Sequence, residues 1–179
     1  MPLGMGASQK NSVQAACVIA SYIHNGQKDK GGKPYILHPL WVSNQVALSG
    51  GSQEEIIVGL LHDTVEDSKL TIEELSEWFS LDIVNALIAI SFRCEGFREE
   101  SREEYIKRVR NNRIAKTVKM VDLKHNMDIS RLGNSHILNE KDIKRIQRFD
   151  APTTLKGRGF LAPIDKDEYS FLSSYTIRH

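Results

Sequence analysis

The chain has 179 residues, 40% of them hydrophobic, which suits one domain with a well-buried core. Its 24 basic and 23 acidic residues nearly cancel, which excludes a global field that draws the whole molecule to nucleic acid or to an anionic membrane. Cys17 and Cys94 stand far apart without CxxC or Cys/His spacing, so they read as reduced thiols of a cytoplasmic protein rather than as a disulfide framework.

"MPLGMGASQK" has no basic region followed by a long apolar run, and "AACVIASYI" is too short to span a bilayer, so no membrane partner is expected. Residues 12 to 24 place Val13, Ala16, Cys17, Ala20 and Ile23 at helical spacing, and Asn25-Gly26 ends the run. His24 closes this first helix as a capping or packing residue. "NGQKDKGGKPYILHP" is rich in Gly, Lys and Asp and reads as a loop, with Pro39 opening the next helix and His38 at the junction. "PLWVSNQVALSG" is a second helix closed by Gly50-Gly51, and Ser52 with Glu55 forms a capping box for a third. Within that third helix Ile56, Ile57, Leu60, Leu61 and Thr64 mark a buried stripe, and the same helix is expected to run on through "LLHDTVEDS".

Further on, Thr71 and Glu74 form another capping box, "LDIVNALIAIS" is strongly apolar, and "SREEYIKRVRNNRIAKTVKMVDLKHNMDISRL" holds one or two more helices. "RCEGFREESREE" reads as a solvated link between helices. No stretch shows a convincing strand pattern, and there are no solenoid-like repeats. The expected architecture is all-α: a compact helical bundle over residues 1–150, with residues 151–179 as a loosely packed tail.

The chemistry concentrates in "LLHDTVEDS". Glu66 follows His62 by four residues and Asp67 follows Asp63 by four, so a continuous helix places them in two adjacent rows at one surface. Clustered carboxylates repel one another unless a cation or a proton compensates. A divalent metal resolves this, with His62 giving an imidazole nitrogen and Asp63 a carboxylate oxygen. Further ligands must come from elsewhere: His38, or Asp122, His125 and Asn126 of "MVDLKHNMD". His136 and His179 have no partners that can be argued for.

"HPLWV", "LLHDTVEDS" and "VKMVDLKHNM" stand in the order of the HD metal-dependent phosphohydrolase superfamily. Residues 12 to 150 resemble the hydrolase domain of the RelA/SpoT alarmone enzymes, and the small stand-alone hydrolases of that group most of all. "HNGQKDKGGKPYILHP" is similar to that family's "H-x-GQ-x-RK-x-G-x-PYI-x-HP" segment. The resemblance implies a bundle with its metal site between helices, metal ligands at His38, His62, Asp63 and Asp122, and a catalytic acidic pair at Glu66 and Asp67. It implies Mn²⁺ as cofactor and hydrolysis of the 3′-pyrophosphate of guanosine tetra- or pentaphosphate, giving GDP or GTP and pyrophosphate. Lys30, Tyr35 and Asn126 are the implied substrate contacts, Asn126 towards the sugar and phosphate, and Lys119 and Lys124 are further candidates for the phosphates. Where the family reads Arg-Lys after "GQ-x", this sequence has Asp29-Lys30. Asp29 is therefore either a hydrogen-bond acceptor for the base or a solvated loop residue, and base selectivity stays open.

The motifs fill most of the chain, so a stand-alone cytoplasmic degrader of a small nucleotide is expected, free of nucleic acid polymer and membrane, with homo-oligomers allowed. Two alternatives stay in view. One is an HD phosphohydrolase for another nucleotide, such as adenosine 3′-pyrophosphates or the 2′-phosphate of NADPH. The other is a metal-binding regulatory module without turnover, which the Glu66-Asp67 pair argues against.

Overall fold

The structure is a computed structural model and describes residues 10–67, 70–92 and 100–127, with Asp67 described by its backbone alone. The expected tail 151–179, the boundary at 150, Cys94, His136 and His179 lie outside the described residues. Among those described, the elements are α1 (Val13–Ile23), α2 (Leu37–Leu48), α3 (Gln53–Leu61), α4 (Thr64–Asp67), α5 (Ile72–Ser76), α6 (Leu81–Ile90), α7 (Arg102–Asn111) and α8 (Arg113–Met127). The described residues contain no strand, only an isolated bridge between Lys28 and Pro34, so the all-α expectation holds.

The helix starts follow local chemistry. Ser12 accepts the Ala15 N–H at 3.0 Å and caps α1. Ser52 with Glu55, and Thr71 with Glu74, form the expected capping boxes of α3 and α5. Each box satisfies two backbone groups that a helix leaves without partners. A third box, Ser101 with Glu104, opens α7. The helix expected from Ser101 onward is thus present, and the overlapping expectation of a solvated link over 93–104 is corrected at its described end. Glu100 belongs to the same correction: it pairs with Arg108, which also donates to the carbonyls of Ile88 and Ser91 at the end of α6. α2 begins at Leu37, so Pro39 is its third residue, still within the first turn where no intrahelical N–H is needed.

α3 is the centre of the domain and packs against α1, α2, α6 and α8. It is buried nearly all round, through Ile57, Val58, Gly59, Leu60 and Leu61, rather than along a single stripe. Val42 and Val46 of α2, Ile83, Leu87 and Ile90 of α6, and Val118 of α8 close around it. Each of the larger side chains contributes about 1.5–3 kcal/mol on burial. That is several times a surface ion pair, so the core and not the charges holds these helices.

Gly59 sets how closely two helices meet. A Cβ at this position lies 3.1 Å from the Ser43 Cα and 3.3 Å from its nitrogen, backbone atoms that cannot swing aside. The glycine therefore lets α2 and α3 approach where His38 and His62 stand.

Candidate metal centre

α3 stops at Leu61 and α4 starts at Thr64, so the run expected as one helix is two. The cause is local. The Thr64 hydroxyl donates to the Leu61 carbonyl at 2.6 Å, and His62 Nδ1 lies 2.9 Å from the Gly59 carbonyl. Side chains thus take up the carbonyls at the end of α3. The two rows of a continuous helix, His62 with Glu66 and Asp63 with Asp67, are corrected accordingly.

The break leaves His62 and Asp63 aimed at α2 and α8. His38 Nε2 and His62 Nε2 are 3.2 Å apart. Asp122 Oδ1 lies 3.2 Å from His38 Nε2 and 3.7 Å from His62 Nε2. Asp63 Oδ2 lies 3.4 Å and 3.1 Å from the same two nitrogens. His38, His62 and Asp122 are 4%, 2% and 3% exposed, so donor atoms that water would otherwise solvate face one another instead. Two donors each about 2.1 Å from one ion stand roughly 3 to 3.5 Å apart, so this spacing suits a divalent cation. Two imidazoles and two carboxylates are a donor set that several transition metals accept.

The second nitrogens of both histidines are also engaged. With His62 Nδ1–H donating to Gly59, Nε2 keeps its lone pair for a cation. His38 Nδ1 and His125 Nδ1 are 2.6 Å apart, and the same logic makes His38 the donor when its Nε2 is ligating. His125 is buried and stacks on Trp41 with 4.1 Å between ring centroids and 12° between planes. Trp41 was not anticipated. The signal for both was spacing: Trp41 follows His38 by three residues, as His125 follows Asp122.

Carboxylates and protons share the cluster electrostatically. Burial opposes the His62 imidazolium, but the Asp63 charge and hydrogen bonds to Asp122 and Asp63 outweigh it and raise its pKa to about 10. Burial also opposes the Asp122 carboxylate, yet hydrogen bonds from His38 and His62 and the Lys119 ammonium hold it well below the usual range. Lys119 Nζ is 2.9 Å from Asp122 Oδ2 and 5.9 Å from the centroid of the Tyr105 ring. Asp63 is likewise lowered, by the His62 charge and both imidazoles acting against burial.

These shifts fix the sign of a pH effect. A folded-state pKa of about 10, above the ordinary 6.5, means that protonated His62 stabilises the metal-free fold fully below pH 6.5, a contribution lost as pH rises through 10. A cation must displace that proton. Mn²⁺ affinity is expected to rise between pH 7 and 9 with release of about one proton per ion, read by calorimetry in buffers of different ionisation enthalpy. A pH-independent affinity over that interval contradicts the arrangement.

The other expected site residues fall as follows. Tyr35 donates its hydroxyl to Asp63 Oδ2 at 2.6 Å. Asn126 donates its amide to Asp122 Oδ1. Both therefore touch candidate ligands. Glu66 is exposed and its Oε1 accepts the Phe92 N–H at 2.6 Å. The Asp67 side chain lies outside the described residues. Asp29 Oδ1 accepts the N–H groups of Gly31 and Lys33, each at 2.9 Å, so this carboxylate oxygen serves its own loop. Lys30 and Lys124 are exposed.

Fold and cluster together define an all-α domain in which His38, His62 and Asp122 from three helical segments converge, with Asp63 beside both imidazoles. Residues 16–130 match the HD domain family, and the chain belongs to it. It is 32% identical over 123 residues to a guanosine-3′,5′-bis(diphosphate) 3′-pyrophosphohydrolase of Spiroplasma citri, covering 64% of this chain and 16% of that protein. To the protein of that name in Aquifex aeolicus it is 48% identical over 67 residues, 37% of this chain and 10% of the relative. A GTP pyrophosphokinase of Streptomyces coelicolor is 32% identical over 144 residues, 77% of this chain and 16% of the relative. The chain thus spans about a sixth of the length of the first of these relatives. The fold is shared with a solved structure described as a metazoan ortholog of SpoT that hydrolyzes ppGpp, at a TM-score of 0.62, 19% identity and 83% coverage of both chains.

Proposed function

We propose that this domain hydrolyses the 3′-pyrophosphate of guanosine tetra- and pentaphosphate in the cytoplasm, yielding GDP or GTP and pyrophosphate, with Mn²⁺ as its cofactor. The observation that carries the reading is the convergence of His38, His62 and Asp122, with Asp63 Oδ2 at 3.1 and 3.4 Å from the two imidazole nitrogens. The names of the bacterial relatives supply the substrate class. A divalent ion held there supplies Lewis-acid polarisation of a phosphoryl oxygen and makes water acidic enough to attack near neutral pH.

The protein's own groups do the rest. His38, His62, Asp63 and Asp122 hold the ion, and Asn126, Lys119 and Tyr35 fix the orientation of the two carboxylates. Glu66 and Asp67 orient the attacking water and carry its proton towards the leaving oxygen, help worth about 10²–10⁴-fold. Lys30 holds a phosphate as a flexible point charge. Asp29 leaves the base without a stacking guanidinium, so discrimination between guanine and adenine is weak.

The test is pyrophosphate release from guanosine and adenosine 3′-pyrophosphates with Mn²⁺ and after chelation. Release that needs Mn²⁺ and favours the guanosine substrates by less than about tenfold, or ~1.4 kcal/mol, is expected. No release from either substrate by the Mn²⁺-loaded protein overturns the reading.

A further inference from the structure

The loop over 24–36 joins α1 to α2, and its bonding is dense for a loop rich in glycine and lysine. Gly26 and Gly32 take positive φ of 77° and 79°, which only glycine adopts without strain. The Asp29 N–H donates to the Lys33 carbonyl at 2.8 Å, and the Gly32 N–H donates to the Asp29 carbonyl at 3.0 Å. Asp29 Oδ1 adds the Gly31 and Lys33 N–H groups, so one side chain accepts from the backbone twice within four residues. At the base of the loop the Tyr35 N–H donates to the Gln27 carbonyl at 2.9 Å.

His24 packs on the same tyrosine. Its ring centroid is 5.0 Å from that of Tyr35, its Nδ1 is 2.8 Å from Gln27 Oε1, and the residue is 2% exposed. Its Nε2 is buried without a hydrogen-bond partner among the described residues. What this scaffold presents is the Tyr35 hydroxyl, 2.6 Å from the Asp63 oxygen that faces both imidazoles.

We propose that Tyr35 is a positioning residue for Asp63 and that the 24–36 loop is the brace that aims it, so that loop order and metal affinity are coupled. The inference rests on Asp63 being a metal ligand. Coupling of this kind is reciprocal: whatever grips the loop tightens the metal, and the metal tightens the loop by the same factor. Since Lys30 rides on this loop, a phosphate held there and the ion reinforce each other without touching.

The experiment measures Mn²⁺ dissociation constants by calorimetry for the unmutated chain, Tyr35→Phe, Asp29→Ala, Asp29→Asn and the Tyr35→Phe/Asp29→Ala double variant. Thermal melts certify that each is folded. Tyr35→Phe is expected to weaken Mn²⁺ about 10- to 100-fold, as removal of outer partners of a ligand does. Asp29→Ala weakens it less, the double variant matches Tyr35→Phe, and Asp29→Asn restores affinity because its amide oxygen accepts the same two N–H groups. Tyr35→Phe within twofold of the unmutated chain, multiplying effects in the double variant, or no rescue by Asp29→Asn overturns the proposal. An unmutated chain that binds Mn²⁺ and releases no pyrophosphate sinks the proposed function and leaves this coupling standing, whereas one that binds no Mn²⁺ sinks both.

Discussion

Asp63→Ala is expected to cost the domain its bound Mn²⁺ and at least about 10³-fold in turnover, since the several kcal/mol that a metal supplies to a phosphoryl transition state go with it. Asp63 is the candidate ligand best suited to this test. Its side chain is 23% exposed, against 4% for Asp122, so its loss disturbs the core least. The substitution also removes the charge that keeps His62 protonated in the metal-free protein. Asp63→Asn keeps the shape and the Tyr35 contact but not the charge, and it is expected to fail almost as badly. Undiminished Mn²⁺ content in either variant removes Asp63 from the ligand set.

Glu66→Gln is expected to behave in the opposite way, binding Mn²⁺ within about twofold of the unmutated chain while turnover falls 10²–10⁴-fold. The geometry makes this substitution clean. Glu66 Oε1 accepts the Phe92 N–H, and the glutamine carbonyl oxygen accepts it too, without the charge. What disappears is the capacity to take a proton. Glu66→Ala additionally releases the Phe92 N–H, so a drop in thermal midpoint in that variant and not in Glu66→Gln separates anchoring from proton transfer. Loss of Mn²⁺ together with activity in Glu66→Gln makes Glu66 a ligand instead.

Much of this was legible in the sequence because the signals are short-range or spaced by a helical turn. Ser52 with Glu55 and Thr71 with Glu74 announced their helices, and His38, His62, Asp63 and Asp122 sit in motifs whose order carried the family resemblance. Ser101 with Glu104 carried the same signal at the head of a stretch expected to be helical, but among the charges around it the box itself was not singled out. The break after Leu61 was hidden, because it depends on which carbonyls His62 and Thr64 reach. Tyr35 and His125 were named as candidates and Trp41 was marked only by its spacing, but the partners of all three were hidden too. Tyr35 and His125 act on candidate ligands, and Trp41 on His125, through contacts that exist only once helices and loop have assembled.

The missing side chain at Gly59 also bears on which ion fits. His38 and His62 stand on the two helices that this glycine brings together, and their Nε2 atoms are 3.2 Å apart. That separation sets the angle the two nitrogens subtend at an ion, about 100° at bonds of about 2.1 Å and roughly 75–90° at the 2.3–2.6 Å bonds of Ca²⁺. A methyl group at 59 presses on the Ser43 backbone and widens that angle from a position outside the cluster. Helix packing thereby sets an angle at the candidate site that the side chains alone do not, and drift at one core glycine can change it while every candidate ligand stays the same.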